Sequence, residues 1–327
     1  MLAPLRCRSE TIAAEGTRKR RGFVFWQLFV TTAILAGSPR NHRFFDRFGA
    51  QPLIIAHRGY RSWYPENTFS AFTACLGRCR MIELDVRLCR DGTVMVFHDR
   101  NLTRTSNAAM MAWDLGLVSL NIDDWRSDQI RRLDAGSWFV ETDPFRTLAR
   151  CPVHRNRLVT LLPQRIPTLQ EVLSWAAVHC MPLNVEIKDM KASSLGPQIV
   201  KEVIRLVRTS GMRGMVVLSS FNHDYLRACR QHAPEIATAA LQQRYHPEDL
   251  VPYLRSLGVC AYHPEKSITD QALVSILRAE GLAVNVFTVN DPTRQSRLLD
   301  WGVTGVFTDF LEQKERSSRG TEPRGGR

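Results

Sequence analysis

From residue 50 onward, short apolar runs rich in β-branched residues alternate with longer stretches of helical spacing. The pattern predicts strands at 53–57 (LIIAH), 81–86 (MIELDV), 183–187 (LNVEI), 215–219 (MVVLS), 237–241 (ATAAL), 259–262 (VCAY), 283–288 (AVNVFT) and 304–307 (TGVF). Nearly continuous apolar character over four to six residues fits strands buried on both faces, hence a parallel sheet covered by helices. A further run, 94–97 (VMVF), follows the turn signal RDGT and predicts a local hairpin-like return. Helical stretches such as LGPQIVKEVIRLVRTSG and ITDQALVSILRAEG each end in a glycine placed as a C-cap.

Eight strands separated by helices are what a closed barrel needs, so the predicted fold is α/β, a (β/α)8 TIM-type barrel. A doubly wound open sheet is the alternative, but no Gly-x-Gly-x-x-Gly follows the first strand. Residues 100–165 lack the strand–helix rhythm and read as a small insertion after the second strand, packed over one face. The expected layout is a basic N-terminal segment (1–50), a catalytic barrel (51–312) and a disordered tail (313–327).

Composition changes the picture little. Apolar residues make up 44% and aromatic ones 9%, enough for a sizeable core. The net charge of +12 raises the question of nucleic acid, but its location answers it. Residues 1–50 hold nine Lys/Arg against three Asp/Glu and residues 311–327 five against three, which leaves only +4 on the body. No zinc-finger or aromatic-basic signature accompanies it, so no nucleic-acid partner is expected, and no protein partner is implied. The eight cysteines form no CxxC pair and read as free thiols; Cys75 and Cys79, four apart, read as two small helix residues rather than a metal pair. The run 23–37 (FVFWQLFVTTAILAG) follows the basic RKRR and is short for a bilayer span. It is read as a signal or membrane anchor in preference to an amphiphilic helix. Membrane association or export is the localisation expected from it.

Chemistry in such a barrel gathers at the C-terminal ends of the strands. The first strand ends in His57-Arg58, the second carries Glu83 and Asp85, the VMVF run closes on His98-Asp99, and 183–187 carries Glu186 with Lys188 beyond it. Strand parity puts Glu83 and Asp85 on one face, and likewise Asn184, Glu186 and Lys188. Like charges about 4 Å apart repel by roughly 4 kcal/mol at an effective dielectric of 20, so three converging carboxylates call for a cation or a proton. Oxygen-only ligands suit Ca²⁺ or Mg²⁺. Arg58 and Lys188 suit the oxygens of an anionic substrate, and two imidazoles supply an acid and a base. A hard cation with that pair is machinery for phosphodiester cleavage.

In order along the chain, AHRG, PENTFSAF, IELDVRLCRDGTVMVFHD, NLTRT, LDAGSWF, IPTLQEVL, NVEIK, SSFN, VFTVND and GVTGVFTD resemble the glycerophosphodiester phosphodiesterase family from about Leu53 to Asp309. The resemblance implies a barrel, one divalent cation (Ca²⁺ or Mg²⁺), and hydrolysis of a glycerophosphodiester to glycerol 3-phosphate and an alcohol. It implies His57 and His98 as the acid/base pair and Glu83, Asp85 and Glu186 as metal ligands. Arg58 becomes a phosphate contact with Lys188 beside it. Glu66 of PENT and Phe287, which stands where the family usually has Trp, fall on the substrate side. Between Thr105 and Leu133 the run NAAMMAWDLGL is unusually apolar and reads as a lid meeting lipid-like head groups. Three rivals remain at this point. One is lysophospholipase D-type cleavage of lysophospholipids with the same site. The others are a glycosidase using Glu83 and Glu186, and a phosphate-binding barrel without turnover.

Overall fold

The computed structural model describes residues 44–312. The apolar run at 23–37, the tail at 313–327 and Cys7 lie outside the described residues. Among the described residues no helix is long and apolar enough to cross a membrane.

Nine strands form the sheet: β1 (Leu53–Ala56), β2 (Met81–Leu88), β3 (Val94–Val96), β4 (Leu183–Ile187), β5 (Val216–Ser220), β6 (Ala237–Gln242), β7 (Ala261–Pro264), β8 (Ala283–Val286) and β9 (Gly305–Thr308). Eight of them are parallel neighbours in the order β1-β9-β8-β7-β6-β5-β4-β2, and the pairing of β1 with β2 closes the ring. The predicted barrel is therefore present. β3 is the predicted return: it runs antiparallel to β2, with Val86 opposite Val96 and Leu88 opposite Val94. That partner carries β2 two residues past its predicted end.

Among the described residues eleven α-helices accompany them: α1 (Phe69–Thr73), α2 (Ala108–Asp114), α3 (Ser127–Ile130), α4 (Ser137–Thr142), α5 (Pro152–Val159), α6 (Leu169–Val178), α7 (Gly196–Thr209), α8 (His223–His232), α9 (Leu250–Leu257), α10 (Gln271–Ala279) and α11 (Pro292–Asp300). The long barrel helices start where polar caps dictate. Thr168 and Glu171 form a reciprocal capping box at α6, and Asp270 and Asp291 accept from the third amides of α10 and α11. The short helices α2–α5 fill the predicted insertion. α2 and α3 enclose a small core around Trp125, Ile122, Ile130 and Phe97, and α4 and α5 a second one around Phe139, Val140, Leu148 and Leu158.

Two departures have plain causes. The folded body starts before residue 51: Phe44, Phe45 and Phe48 are buried against Leu53, Ile55, Met81, Ala261 and Phe307. A short aromatic segment without helical or strand period carries no pattern to predict it, yet it packs over apolar side chains that the barrel interior would otherwise leave to water. β7 lies two residues later than the VCAY pattern and brings His263, fully buried, inside the barrel. Asn285 Nδ2 donates to His263 Nε2 at 3.0 Å, and burial pushes that imidazole down to about 3, so it is neutral in the fold. Apolar periodicity does not register a buried polar pair.

Candidate active site

The site begins in a turn. After β1 the backbone of Arg58 takes φ +55° and that of Gly59 φ +83°. A Cβ on Gly59 would stand 2.8 Å from Ala71 Cβ, so only glycine allows this close return. The turn directs Arg58 N to donate to Glu83 Oε2 at 2.8 Å and sends the guanidinium back over Asp85 (3.1 Å) and Glu66 (2.8 Å). The left-handed backbone of a non-glycine residue is local strain, held here by three charged partners.

Register then aligns the acids. Glu83 lies beside Asn184 and Asp85 beside Glu186. Ligand oxygens of Glu83, Asp85 and Glu186 all fall within 4.8 Å of one another, and all three residues are buried. Lys188 Nζ reaches Asp85 Oδ1 at 2.9 Å and donates to Glu186 Oε1 at 2.6 Å. Asn67 Nδ2 donates to Asp85 Oδ2 at 2.9 Å. Burial, then the charges of Asp85 and Glu186, push the Glu83 carboxyl well above the usual carboxylate range. Burial opposes the charge of Asp85 too, but Lys188, Arg58 and His98 together outweigh it and hold that carboxyl well below its usual value. Glu83 is thus the member of the cluster that needs a further positive charge.

These residues fit a hard divalent cation. Glu83 Oε1 and Asn184 Oδ1 are buried oxygens with no hydrogen-bond partner in a set that offers only oxygen donors. Three carboxylates against Arg58 and Lys188 leave one negative charge in the cluster, which a divalent ion would reverse to one positive, matching a diester anion.

The two histidines line the same cavity, of about 550 Å³, with Arg58, Glu83, Glu186, Lys188 and Phe287. His57 Nδ1 lies 2.7 Å from Asp309 Oδ1, and Asn290 Nδ2 donates to Asp309 Oδ2 at 2.6 Å. That contact puts the ring proton on Nδ1 and leaves Nε2 as the acceptor. Burial and the Arg58 charge lower the basicity of His57, partly offset by Asp309, so the ring is neutral at neutral pH. His98 Nδ1 contacts Asp99, which Arg104 also holds. Arg87 Nε fixes the backbone by donating to His98 O at 2.7 Å.

Glu66 stands behind the cavity wall. It does not line the cavity; it is only 5% exposed and takes Arg58 (2.8 Å), Arg61 (3.0 Å) and Arg104 (2.7 Å). Burial opposes its ionisation, but those arginines bring its pKa down to about 2. It orients the guanidinium groups of Arg58, Arg61 and Arg104. The apolar run at 107–117 likewise contributes nothing to the cavity lining, which comes from strand ends and their loops. α2 turns Met110 and Trp113 (88% exposed) to solvent. Cys75 is buried and donates to Ala71 O, and Cys79 Sγ in turn donates to Cys75 O at 3.8 Å, so both thiols are engaged with the backbone of their own segment.

Sequence reasoning assigned no role to Asp309, Asn290, Asn67, Arg61 or Arg104. Asp309 follows the last strand directly, and the strand-end rule that singled out His57 applies to it equally. The others sit on loops, where no period points to a partner.

Comparison with known proteins places these features. The profile of the glycerophosphoryl diester phosphodiesterase family matches residues 57–313. A glycerophosphodiester phosphodiesterase of Bacillus subtilis (strain 168) is 30% identical over 303 residues, covering 89% of this chain and 94% of the relative. Another, from Bacillus altitudinis, is 32% identical over 266 residues, covering 80% and 95%. An Oleispira antarctica phosphodiesterase solved with its product sn-glycerol-3-phosphate superposes with a TM-score of 0.67 at 26% identity, over 81% of this chain and 95% of that one. With the profile matched from His57 to past the last strand, the chain belongs to the glycerophosphoryl diester phosphodiesterase family and is a phosphodiesterase.

Proposed function

We propose that this chain hydrolyses glycerophosphodiesters to glycerol 3-phosphate and an alcohol by acid–base catalysis from His57 and His98, assisted by one Ca²⁺ or Mg²⁺. The observation that carries the proposal is the convergence of Glu83, Asp85 and Glu186 in a cavity that both histidines line. Those three carboxylates would hold the cation, with Asn184 Oδ1 as a further oxygen. When bound, the cation supplies positive charge at the phosphoryl oxygens.

The rest falls to the protein. Arg58 and Lys188, both at the cavity wall, neutralise the diester anion and orient its phosphorus. His57 Nε2, freed by the Asp309 contact at Nδ1, accepts the proton of the attacking hydroxyl, whether from water or from the neighbouring hydroxyl of the glycerol. His98, oriented by Asp99, returns a proton to the departing alcohol oxygen. If water attacks directly, the pair ends the turnover with roles exchanged and re-equilibrates through solvent; if the glycerol hydroxyl attacks, hydrolysis of the resulting cyclic phosphate runs both transfers in reverse and restores the pair. Phe287, half-buried at the wall and packed edge-on to Phe221 at 5.7 Å, offers an apolar surface to the organic part of the substrate.

His57→Ala and His98→Ala are each expected to lower turnover of glycerophosphocholine by about 10²–10⁴-fold, the usual worth of one acid–base group. Their circular dichroism spectra should match the parent. Near-full activity in either variant sinks the assignment. Cleavage of lysophospholipids at the same site is the second reading, favoured by Phe221, 40% exposed at the cavity edge, where an acyl chain could lie. Turnover of glycerophosphocholine and lysophosphatidylcholine side by side separates the two.

A further inference from the structure

A second cavity, of about 650 Å³, opens beside α1, away from the histidines. Its walls mix Tyr64, Phe69 and Leu161 with the guanidinium groups of Arg78, Arg157 and Arg165. Arg131, Arg208 and Arg255 pair with Glu171, Glu235 and Glu280. Among the described residues, no carboxylate lies within ion-pair distance of Arg78, Arg157 or Arg165. Gln164 also lines this cavity. It is nine-tenths buried, its Oε1 accepts from Ser70 Oγ at 2.6 Å, and its Nε2 has no partner. A buried amide donor without an acceptor, among three arginines with no carboxylate partner, calls for an anion.

The surface around the cavity has the same character. Residues 144–165 carry five arginines and no Asp or Glu. Asp143, at their edge, is turned inward to the amides of Leu148 and Ala149. Between the arginines, Val153 is 80% exposed, Val159 47% and Leu161 46%. Apolar side chains left in water beside uncompensated arginines match a partner with an anionic surface and an apolar interior. A nucleic acid offers the first without the second.

We infer that α5 and the loop to Arg165 dock on an anionic lipid bilayer, with one lipid head group in the cavity ringed by Arg78, Arg157, Arg165 and Gln164. Each arginine gains from the negative surface potential, and the valines and Leu161 enter the head-group region. The attraction weakens as salt shortens the Debye length. The surface adjoins the active site through the turn that leads into α1: Thr68 Oγ1 contacts Ser70 Oγ at 2.9 Å, and Asn67, one residue earlier, holds Asp85. Docking here keeps the catalytic mouth near the membrane that supplies diesters.

The test is amide hydrogen exchange on the full chain with vesicles of phosphatidylcholine alone or mixed with phosphatidylglycerol. Amides of residues 152–165 should slow with the anionic vesicles only. The triple variant Arg155→Glu, Arg157→Glu, Arg165→Glu should lose that protection, weaken vesicle partitioning by at least about a hundredfold, and keep its turnover of soluble glycerophosphocholine. Should the triple variant lose that turnover through misfolding, Val153→Ser with Val159→Ser decides, since retained protection there overturns the inference. Four other results also overturn it: no protection of the segment, equal protection by pure phosphatidylcholine, equal protection by a DNA duplex, or protection that survives charge reversal. Vesicle binding that protects only the N-terminal residues counts as the first of these.

Discussion

Asp309 takes the Nδ1 side of His57 at 2.7 Å while Asn290 holds its other oxygen at 2.6 Å. The aspartate therefore sets both the tautomer and the direction of the ring, the second role a catalytic imidazole needs filled. Asp309→Asn should lower kcat by about 10²-fold or more, with KM little changed, because a mis-set ring affects proton transfer rather than binding. Its charge favours the imidazolium, so its removal lowers the basicity of His57 further. The acid limb of the pH–rate profile should accordingly move to lower pH. Glu66 is a different case at the same scale. Its pKa falls from 4.5 to about 2 in the fold, so its contribution to stability is complete above the ordinary carboxylate pKa and is lost as pH falls through about 2. Linkage of that size is about 3 kcal/mol. Glu66→Gln should cost about 3–5 kcal/mol near neutrality by stranding buried arginines. The difference from the parent, read by urea unfolding, should shrink as pH drops from about 4.5 toward 2.

At the scale of elements, the strands separate two tasks. Their outward residues, such as Leu84, Val185 and Leu218, pack against the helices, while their inward residues change from apolar at one end to charged at the other. β1 shows the change within five positions: Leu53 and Ile55 belong to the cluster closed by Phe44, Phe45 and Phe48, and His57 follows at the opposite end. Phe45→Ala should therefore cost about 3–5 kcal/mol of stability, the usual range for a buried aromatic truncation. It should leave kcat and KM for glycerophosphocholine unchanged at temperatures where the variant is folded. A loss of activity without loss of stability would show that the two ends of the barrel are mechanically coupled.

For the molecule as a whole, the cation site proposed at the acidic cluster would tie stability to cation binding. Glu83 and Asp85 come from β2 and Glu186 from β4, so their like charges oppose closure of the ring at that seam unless positive charge lies between them. Excess EDTA should bring turnover to background, and Ca²⁺ or Mg²⁺ should restore it. The same cation should raise the melting temperature, since binding at about one hundred times Kd adds about 2.7 kcal/mol to the folded state. Thermal scans of Glu83→Gln should show that rise largely abolished. A parent whose melting temperature ignores both cations would contradict the assignment of the cluster.

Much of this was legible before any coordinates. Eight apolar runs with helices between them, and acids spaced two apart on predicted strands, suffice for the barrel and for the shared face of Glu83 and Asp85, because strand period and parity are local properties. The resemblance of AHRG, NVEIK and the runs between them to one family supplied the reaction. Other features became visible only in three dimensions: Asp309 behind His57, Glu66 among three arginines, the phenylalanines under the barrel, and Gln164 facing a basic cavity. Each depends on residues far apart in sequence, 252 positions for His57 and Asp309, meeting when the ring closes. Local pattern fixes what a segment can be. Which polar groups end up buried together, and so which must share charge or a proton, is decided by closure of the barrel.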